Sequence, residues 1–282
     1  MAWEKKALVT GGSSGIGQGI AIVLAEQGYD VAITYSQQRE GAEKTCEAVR
    51  TLGRKAYMYQ QEMSAPDAAP KAVAAAVCDL GYLTLMVSNA GLTQYHSALT
   101  VTAEQMDYLY GILFRSYILG AGAAARSMVK NGIPGSLIFI TSTRGQRAYA
   151  EDLIYGGLKA GIDRACQSMA LDLAPYGIRV NCVAPGATIV RDYHSATGHP
   201  LADAIPLGRT GIPRDDGELV AFLASEKAGY ITGVTIRVDG GLALPGMMER
   251  TSHEGLVHNQ TDPDWFERVQ RELAQFEEEH PS

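Results

Sequence analysis

Short apolar runs alternate with longer stretches of helical periodicity along most of the chain. The runs are rich in Val, Ile, Leu and Ala and hardly alternate between polar and apolar positions, which is typical of parallel strands buried on both faces. They predict strands at 6–11, 30–35, 55–60, 83–91, 135–142, 178–186 and 234–241. The stretches between them predict helices at 15–28, 38–53, 66–80, 102–130 and 153–176. This alternation favours an α/β fold in which helices cover both faces of a doubly wound parallel sheet.

Two segments depart from this alternation. The segment 187–212 contains Gly, Pro and His and is long for a connection, which favours a lid or binding loop over a spacer. In the tail, N-cap residues at 261–264 precede apolar residues at helical spacing from Trp265 to Phe276, which predicts a helix at about 263–279. Its apolar stripe packs either on its own subunit or across a subunit interface. We therefore divide the chain into one domain at 1–245 and a C-terminal extension at 246–282.

Composition excludes several classes of partner. The chain has 282 residues, 46% of them hydrophobic, and a net charge of -7, with 24 Lys and Arg residues scattered along it. Nucleic acid is therefore not an expected partner. No signal peptide and no apolar run long enough to span a membrane are visible, so we expect no membrane association and a cytoplasmic location. The four cysteines are widely spaced without a Cys-x-x-Cys pair, which indicates buried free thiols, not a zinc site or disulfides.

A glycine cluster lies where the first strand turns into the first helix. Glycine permits a tight turn there, lets the backbone approach a pyrophosphate, and leaves the amides of the helix N-terminus free to bind phosphate oxygens. The cluster therefore predicts a dinucleotide site. The loop residues expected to contact the dinucleotide are Gly11, Ser13, Ser14, Gly15, Ile16 and Gly17.

A second candidate site consists of Ser142, Tyr155 and Lys159. Tyr155 and Lys159 are one helical turn apart on the same face, so the ammonium is expected to lower the pKa of the phenol. Tyr155 can then exchange a proton with a substrate oxygen, while Lys159 also orients the cofactor. Ser142 ends the preceding strand, where its hydroxyl can hold the same oxygen. We predict that these three residues are catalytic.

Five ordered motifs carry a resemblance to a known family. They are the glycine loop at 10–17, SNAG at 88–91, the Ser142, Tyr155 and Lys159 set, NCVAPG at 181–186, and ITGVTIRVDGG at 231–241. Together they resemble the short-chain dehydrogenase/reductase family, and within it most the bacterial glucose 1-dehydrogenase and 3-oxoacyl reductase type. The resemblance extends to about residue 245. It implies a Rossmann-type fold, hydride transfer between a nicotinamide cofactor and a carbonyl or secondary alcohol, and a homotetramer.

The resemblance also implies further cofactor contacts. Glu62 and Met63 would flank the adenine, SNAG would line the cofactor, and residues after the sixth strand would contact the nicotinamide carboxamide. Besides Tyr155 and Lys159, these additional cofactor-binding residues are Glu62, Met63, Asn89, Ala90, Gly91, Pro185 and Gly186. Val190 occupies the place of the family's usual Thr, and Thr188, close by, is the candidate hydroxyl donor to the cofactor.

The choice between nicotinamide cofactors depends on the end of the second strand. Tyr35 and Ser36 occupy the deciding positions, and no Asp is present to hold a ribose 2'-hydroxyl and repel a 2'-phosphate. Ser36, Gln37 and Arg39 can donate to a phosphate, although Arg39 fits a solvated helix start equally well. We expect NADP as the cofactor, with NAD use left open.

One position departs from the family pattern. The family carries an Asn in the helix after SNAG, which holds a water that links the catalytic Lys to solvent, and here Leu113 takes that place. Ser116, one turn further, either replaces the Asn or bonds its own backbone. The departure keeps a second function open, namely a nucleotide-binding protein with weak or lost catalysis in a regulatory or structural role.

The predicted substrate side is polar. Arg144 and Arg147 precede Tyr155, and His194 lies in the long loop at 187–212. They favour a sugar, polyol or hydroxy acid as substrate, with an arginine as a carboxylate or phosphate clamp. Alternatively, the arginines pair with nearby acids at the surface. The histidines lack the spacing and acidic companions of a metal site, so no metal is expected.

Overall fold

The computed structural model describes residues 3–190 and 201–244, together with 249–252, 255–257, 271 and 278. The chain divides into two compact units, Met1–Ala243 and Leu244–Ser282. Residues 191–200, which include His194, lie outside the described residues. So does the predicted helix at 263–279, except for residues 271 and 278, which are helical.

A parallel sheet of seven strands forms the first unit, in the order β3-β2-β1-β4-β5-β6-β7. All six strand pairings within it are parallel. The strands are β1 (Lys6–Val9), β2 (Asp30–Tyr35), β3 (Ala56–Gln60), β4 (Leu85–Ser88), β5 (Ser136–Ile140), β6 (Arg179–Pro185) and β7 (Thr235–Val238). Residues of β1, β2, β4 and β5 are buried throughout, as expected for strands covered on both faces.

Seven α-helices accompany this sheet in the described residues of the first unit. They are α1 (Gly15–Glu26), α2 (Arg39–Thr51), α3 (Ala68–Leu80), α4 (Ala103–Tyr110), α5 (Ser116–Lys130), α6 (Leu153–Leu173) and α7 (Pro213–Ala224). A π-helical segment, Gly111–Arg115, joins α4 to α5 without a break. A turn of this kind inserts one extra residue into the helix and often marks a functional site.

The apolar core has two layers, one on each face of the sheet. One layer packs α3, the α4 to α5 helix and α6 against the sheet, with Leu113, Tyr117 and Phe139 fully buried in it. The other packs α1, α2 and α7 on the opposite face. This arrangement confirms the predicted doubly wound α/β fold.

The structure adds elements that the sequence did not predict. Helix α7 and the π-helical segment within 102–130 were missed. In the second unit, β8 (Glu249–Ser252) pairs antiparallel with β9 (Gly255–Val257). Within the described residues, no helix is both long and apolar enough to cross a bilayer.

The sheet order explains where a site forms. The chain reverses direction across the sheet between β1 and β4, and in open α/β sheets ligands bind at the carboxyl ends of the strands at such a switch point. Gly11, Asn89 and Ser142 follow the carboxyl ends of β1, β4 and β5, so the topology brings residues far apart in sequence to one edge.

Candidate active site

A cavity of about 740 Å³ runs along the carboxyl edge of the sheet. All the residues expected to bind the cofactor line it, from Gly11 at the end of β1 to Thr188 after β6, and the three predicted catalytic residues line it as well. Gln37, named above as a donor to a phosphate, also lines it. The other lining residues were not predicted. They are Thr34, Gln38, Gln61, Leu92, Thr93, Tyr108, Ile112, Ile140, Thr141 and Val190.

The glycine loop is shaped for close approach. Gly11 and Gly15 have φ of 68° and 55°, a backbone conformation that glycine adopts without strain. A Cβ on Gly17 would lie 2.2 Å from the Gly11 carbonyl oxygen, so a side chain there is incompatible with the observed turn. The tight turn therefore depends on glycine at these positions, and its backbone lines the cavity.

The start of α1 fits a phosphate. Its N-cap residue, Ser14, makes no side-chain capping bond, and its first turn carries no acidic residue. The first amides of a helix have no partner within it and carry the positive end of the helix dipole, so they attract an anion. These residues thus fit the pyrophosphate of a dinucleotide.

Asn89 fixes the glycine loop from the neighbouring strand. Its Nδ2 donates to the carbonyl oxygens of Thr10 (2.9 Å) and Gly11 (3.2 Å). In return, the Thr10 hydroxyl accepts from the backbone amides of Asn89 (2.9 Å) and Ala90 (3.0 Å). The SNAG stretch therefore lines the cavity and also holds β1 to β4.

At the adenosine end, polar groups lie at the ends of β2 and β3. The Ser36 hydroxyl donates to Glu62 Oε2 at 2.7 Å, and Gln60 Nε2 donates to the Ser36 carbonyl at 3.0 Å. Arg39 does not line the cavity and pairs with Glu43 at 2.9 Å. The solvated alternative for Arg39 is therefore the one that the structure favours.

At the opposite end, Tyr155 is enclosed by hydroxyl groups. Hydrogen bonds with Ser142 and Thr93 favour its phenolate, but burial dominates and raises the pKa of Tyr155 above its ordinary value. The sequence predicted a lowered pKa from Lys159. That expectation was wrong, because the burial of the phenol itself outweighs the contacts that favour its phenolate. Thr93 was missed, although it follows β4 at the same sheet edge.

Lys159 is almost completely enclosed, with 3% of its surface exposed. Its Nζ donates to the Ile140 carbonyl oxygen at 2.7 Å and to Tyr117 Oη at 3.2 Å. The loss of solvation lowers the pKa of Lys159 to about 7. Small changes in its surroundings therefore decide whether it carries a charge at neutral pH.

The departure at Leu113 has a structural counterpart. Leu113 is fully buried in the π-helical segment, and its Cδ2 lies 2.8 Å from the position that a Cβ on Gly91 would take. The Ser116 hydroxyl donates to the Ile112 carbonyl of its own helix, and the hydrogen bonds of Lys159 Nζ go to Tyr117 and Ile140. Instead the polar contact from this helix to Lys159 comes from Tyr117, which the sequence analysis overlooked.

Thr188 contacts a buried acid behind the cavity. Its hydroxyl donates to Asp216 Oδ2 at 3.2 Å, and Oδ1 of Asp216 has no hydrogen-bond partner among the described residues. Asp216 is completely inaccessible to solvent, and this burial raises its pKa to about 8. The Thr188 hydroxyl is thus already occupied within the protein.

Neither predicted arginine lines the cavity. Arg144 lies between the rings of Tyr95 (5.0 Å) and Tyr149 (4.8 Å), and its Nη1 is 3.5 Å from Asp152 Oδ1. The protein itself therefore holds this guanidinium, as in the alternative of pairing with a nearby acid. Arg147 is partly buried outside the cavity, and His194 lies beyond the described residues.

Comparisons with known proteins agree with this geometry. A family model described as enoyl-(acyl carrier protein) reductase matches residues 11–243. The chain is 34% identical over 243 residues to L-rhamnose 1-dehydrogenase (NAD(P)(+)) of Sphingomonas sp. strain SKA58, covering 84% of this chain and 96% of that protein. It is 35% identical over 248 residues to a 3-oxoacyl-[acyl-carrier-protein] reductase of Staphylococcus aureus, covering 86% and 100%.

Solved structures show the same likeness. Acetoin dehydrogenase from Enterobacter cloacae superposes with a TM-score of 0.84 at 33% identity, covering 89% of this chain and all of that one. A short-chain dehydrogenase/reductase from Serratia marcescens gives a TM-score of 0.79 at 33% identity, covering 85% and 98%. With the sheet order, the glycine loop and these matches together, the chain belongs to the short-chain dehydrogenase/reductase family.

Proposed function

We propose that the protein is an NADP-dependent oxidoreductase that interconverts a carbonyl and a secondary alcohol on a polar substrate. Membership of the family makes it an oxidoreductase of CH–OH and carbonyl groups. The observation that carries the proposal is a single cavity with the glycine loop at one end and Ser142, Tyr155 and Lys159 at the other.

A bound nicotinamide would supply the hydride donor or acceptor. The protein's part is proton transfer and positioning: Tyr155 Oη would give a proton to the substrate oxygen or take one from it, within hydrogen-bond reach of the Ser142 and Thr93 hydroxyls. Lys159 would hold the ribose hydroxyls beside it. The glycine loop and the start of α1 would bind the pyrophosphate.

Two features support NADP. No carboxylate stands at the end of β2, and Ser36, Gln37 and Gln38 present polar groups to the cavity there. One feature opposes it, because the Glu62 carboxylate lies at the same end, bonded to Ser36. Use of both cofactors is consistent with this balance, and a relative is named for activity with NAD(P)(+).

A polar substrate is supported by hydroxyl groups at the reactive end of the cavity. Ser142, Tyr155 and Thr93 converge there, and Tyr108 also lines the cavity. The named relatives include a rhamnose dehydrogenase and an acetoin dehydrogenase, both acting on small hydroxylated molecules, but also a 3-oxoacyl reductase. We also propose a homotetramer, as the family resemblance implies, and a cytoplasmic location.

The substrate test is a panel assay that follows absorbance of the reduced nicotinamide. Sugars, polyols and hydroxy acids are compared with acyl thioesters and hydrophobic ketones at matched concentrations. We expect turnover in the first group. Preference for thioesters or hydrophobic ketones would exclude the polar-substrate proposal.

The mechanistic test is Tyr155→Phe. Loss of the phenol oxygen should lower kcat by about 10²- to 10⁴-fold, because proton transfer is lost, while the Kd for the dinucleotide changes little. Full activity in this variant would contradict the assignment of Tyr155.

A second candidate function is nucleotide binding without turnover, favoured by Leu113 and by the enclosure of Lys159. It predicts dinucleotide binding by calorimetry with no consumption across the whole panel. Turnover of any panel member that Tyr155→Phe abolishes would exclude it.

A further inference from the structure

One residue of the helix that carries Leu113 makes a side-chain hydrogen bond with Lys159. Lys159 Nζ and Tyr117 Oη are 3.2 Å apart, although the two residues are separated by 42 positions in sequence. The Tyr117 ring centroid is also 4.8 Å from Nζ, and the Tyr155 ring centroid is 5.6 Å from it. Lys159 thus lies between two phenols, one of which faces the cavity.

Tyr117 is held rigidly in this position. Its side chain is 1% exposed, and its ring lies 6.0 Å from that of Phe139 with 24° between their planes. Its hydroxyl donates to the Ile140 carbonyl oxygen at 3.3 Å, which leaves the oxygen lone pairs for the lysine. The Ile140 carbonyl therefore anchors both Tyr117 and Lys159.

The other residues of this helix do not take this role. Leu113 has no polar side-chain atom, and the Ser116 hydroxyl is bonded to its own helix. Among the described side chains, Tyr117 accepts the hydrogen bond that Lys159 Nζ donates to a side chain. This contact positions Lys159 and does not relay a proton, since the Tyr117 hydroxyl donates to the Ile140 carbonyl, which carries no proton to transfer onward.

We propose that Tyr117 is a positioning residue that holds Lys159 at the cavity wall and favours its charged form. This inference rests on the proposed function, in which Lys159 binds the dinucleotide. An oxygen that accepts from an ammonium stabilises the charged state, so its removal from an enclosed site favours the neutral amine.

Other titratable groups also face Lys159. They are Tyr155 and Asp163 on α6 and Cys182 on β6, and the last two favour the charged lysine. Asp163 is itself buried and bonded to Thr235 at 3.0 Å, and burial raises its pKa. These groups stay unchanged when only the Tyr117 hydroxyl is removed, so Tyr117→Phe isolates the effect of one oxygen.

The test is the Kd for NADP measured by calorimetry from pH 6 to 9. In the wild type, binding should weaken as the pH rises through the pKa of Lys159, near 7. In Tyr117→Phe the midpoint of this change should move to lower pH by about one unit, the size expected for one hydrogen bond to a charged group.

Tyr29→Phe is the matched control. Tyr29 is also buried, in the other core layer, and has no part in the cavity. Its removal should leave the midpoint in place even if the melting temperature falls. Tyr117→Met, which fills the core flexibly and also lacks the hydroxyl, should shift the midpoint in the same direction if Tyr117→Phe folds poorly.

The outcomes separate the two proposals. A wild-type protein that does not bind a dinucleotide would overturn the proposed function. Three results would overturn the role of Tyr117 alone, given that the wild type binds the dinucleotide. They are a wild-type Kd that does not change with pH, a midpoint that stays in place in both Tyr117 variants, and a midpoint that shifts equally in Tyr29→Phe.

Discussion

Asp216 offers a test of how burial alone sets stability. Helix α7 packs so closely on α1 that a Cβ on Gly19 would lie 2.5 Å from Pro213 Cβ, and a Cβ on Gly217 would lie 2.9 Å from Val23 Cγ2. This packing seals Asp216 from solvent, with Thr188 as its hydrogen-bond donor. Replacing it by Asn keeps the shape and removes the ionisation.

The sign of the effect follows from the pKa values. Burial raises the pKa of Asp216 from 3.8 to about 8, so the folded protein holds the proton more tightly than the unfolded chain. The stability contributed by the neutral carboxyl is complete below pH 4 and is lost as the pH rises through 8. The pKa difference corresponds to a loss of about 4 to 6 kcal/mol in the free energy of unfolding.

Urea denaturation of the wild type and Asp216→Asn at pH 5, 7 and 9 measures this loss. The difference between the two proteins cancels the other titrating groups. We expect Asn to be neutral or destabilising at pH 5, because its amide protons lack partners, and to be stabilising by several kcal/mol at pH 9. Unfolding free energies that stay parallel from pH 5 to 9 would refute the reasoning.

Asp215 is the matched control on the same helical turn. It accepts two hydrogen bonds from Arg209, at 2.7 and 2.9 Å, and one from the Ile212 amide at 2.8 Å. The Arg209 guanidinium holds the pKa of Asp215 below its usual value. Asp215→Asn should therefore destabilise the protein at neutral pH and lose that effect as the pH falls below about 4, the opposite dependence.

Two further predictions concern the cavity. Gly17→Ala should abolish dinucleotide binding measured by calorimetry, because its Cβ would lie 2.2 Å from the Gly11 carbonyl oxygen. The control Gly122→Ala in α5 should bind normally, because its Cβ would have only Arg126 Nη1 nearby, at 3.5 Å. Retained binding in Gly17→Ala would show that the loop shape is not required. Glu62→Gln should strengthen NADP binding relative to NAD binding by about fivefold, since it removes a negative charge from the adenosine end of the cavity. An unchanged ratio of the two Kd values would show that Glu62 does not interact with the 2'-phosphate.

Local patterns predicted most of the sheet and of the cavity. The buried strands read as apolar runs, and their alternation with helices predicts a parallel sheet, in which the carboxyl ends of the strands lie at one edge. The order of the strands in the sheet comes from the structure. Helix α7 was missed, although Pro213 at its first position and acids in its first turn are ordinary signals of a helix start.

Other features depend on contacts that sequence spacing does not encode. Asp216 looks like a solvated acid at a helix start and becomes buried only because α7 packs on α1. The sequence left Arg144 open to binding a substrate or to pairing with a nearby acid, and its contacts with Tyr95, Tyr149 and Asp152 are visible only in the structure. Tyr117 was not singled out in the sequence, because its contact with Lys159 joins residues 42 positions apart.

The bonds that Asn89 and Thr10 exchange have a consequence for the thermodynamics of ligand binding. They fix the glycine loop through the sheet, so its conformation is part of the folded state itself. A loop that is already ordered loses little conformational entropy when a ligand arrives, and more of the interaction energy appears as affinity. The same bonds link the shape of the phosphate site to the pairing of β1 with β4, so that weakening this strand pair would lower affinity without touching a single ligand contact.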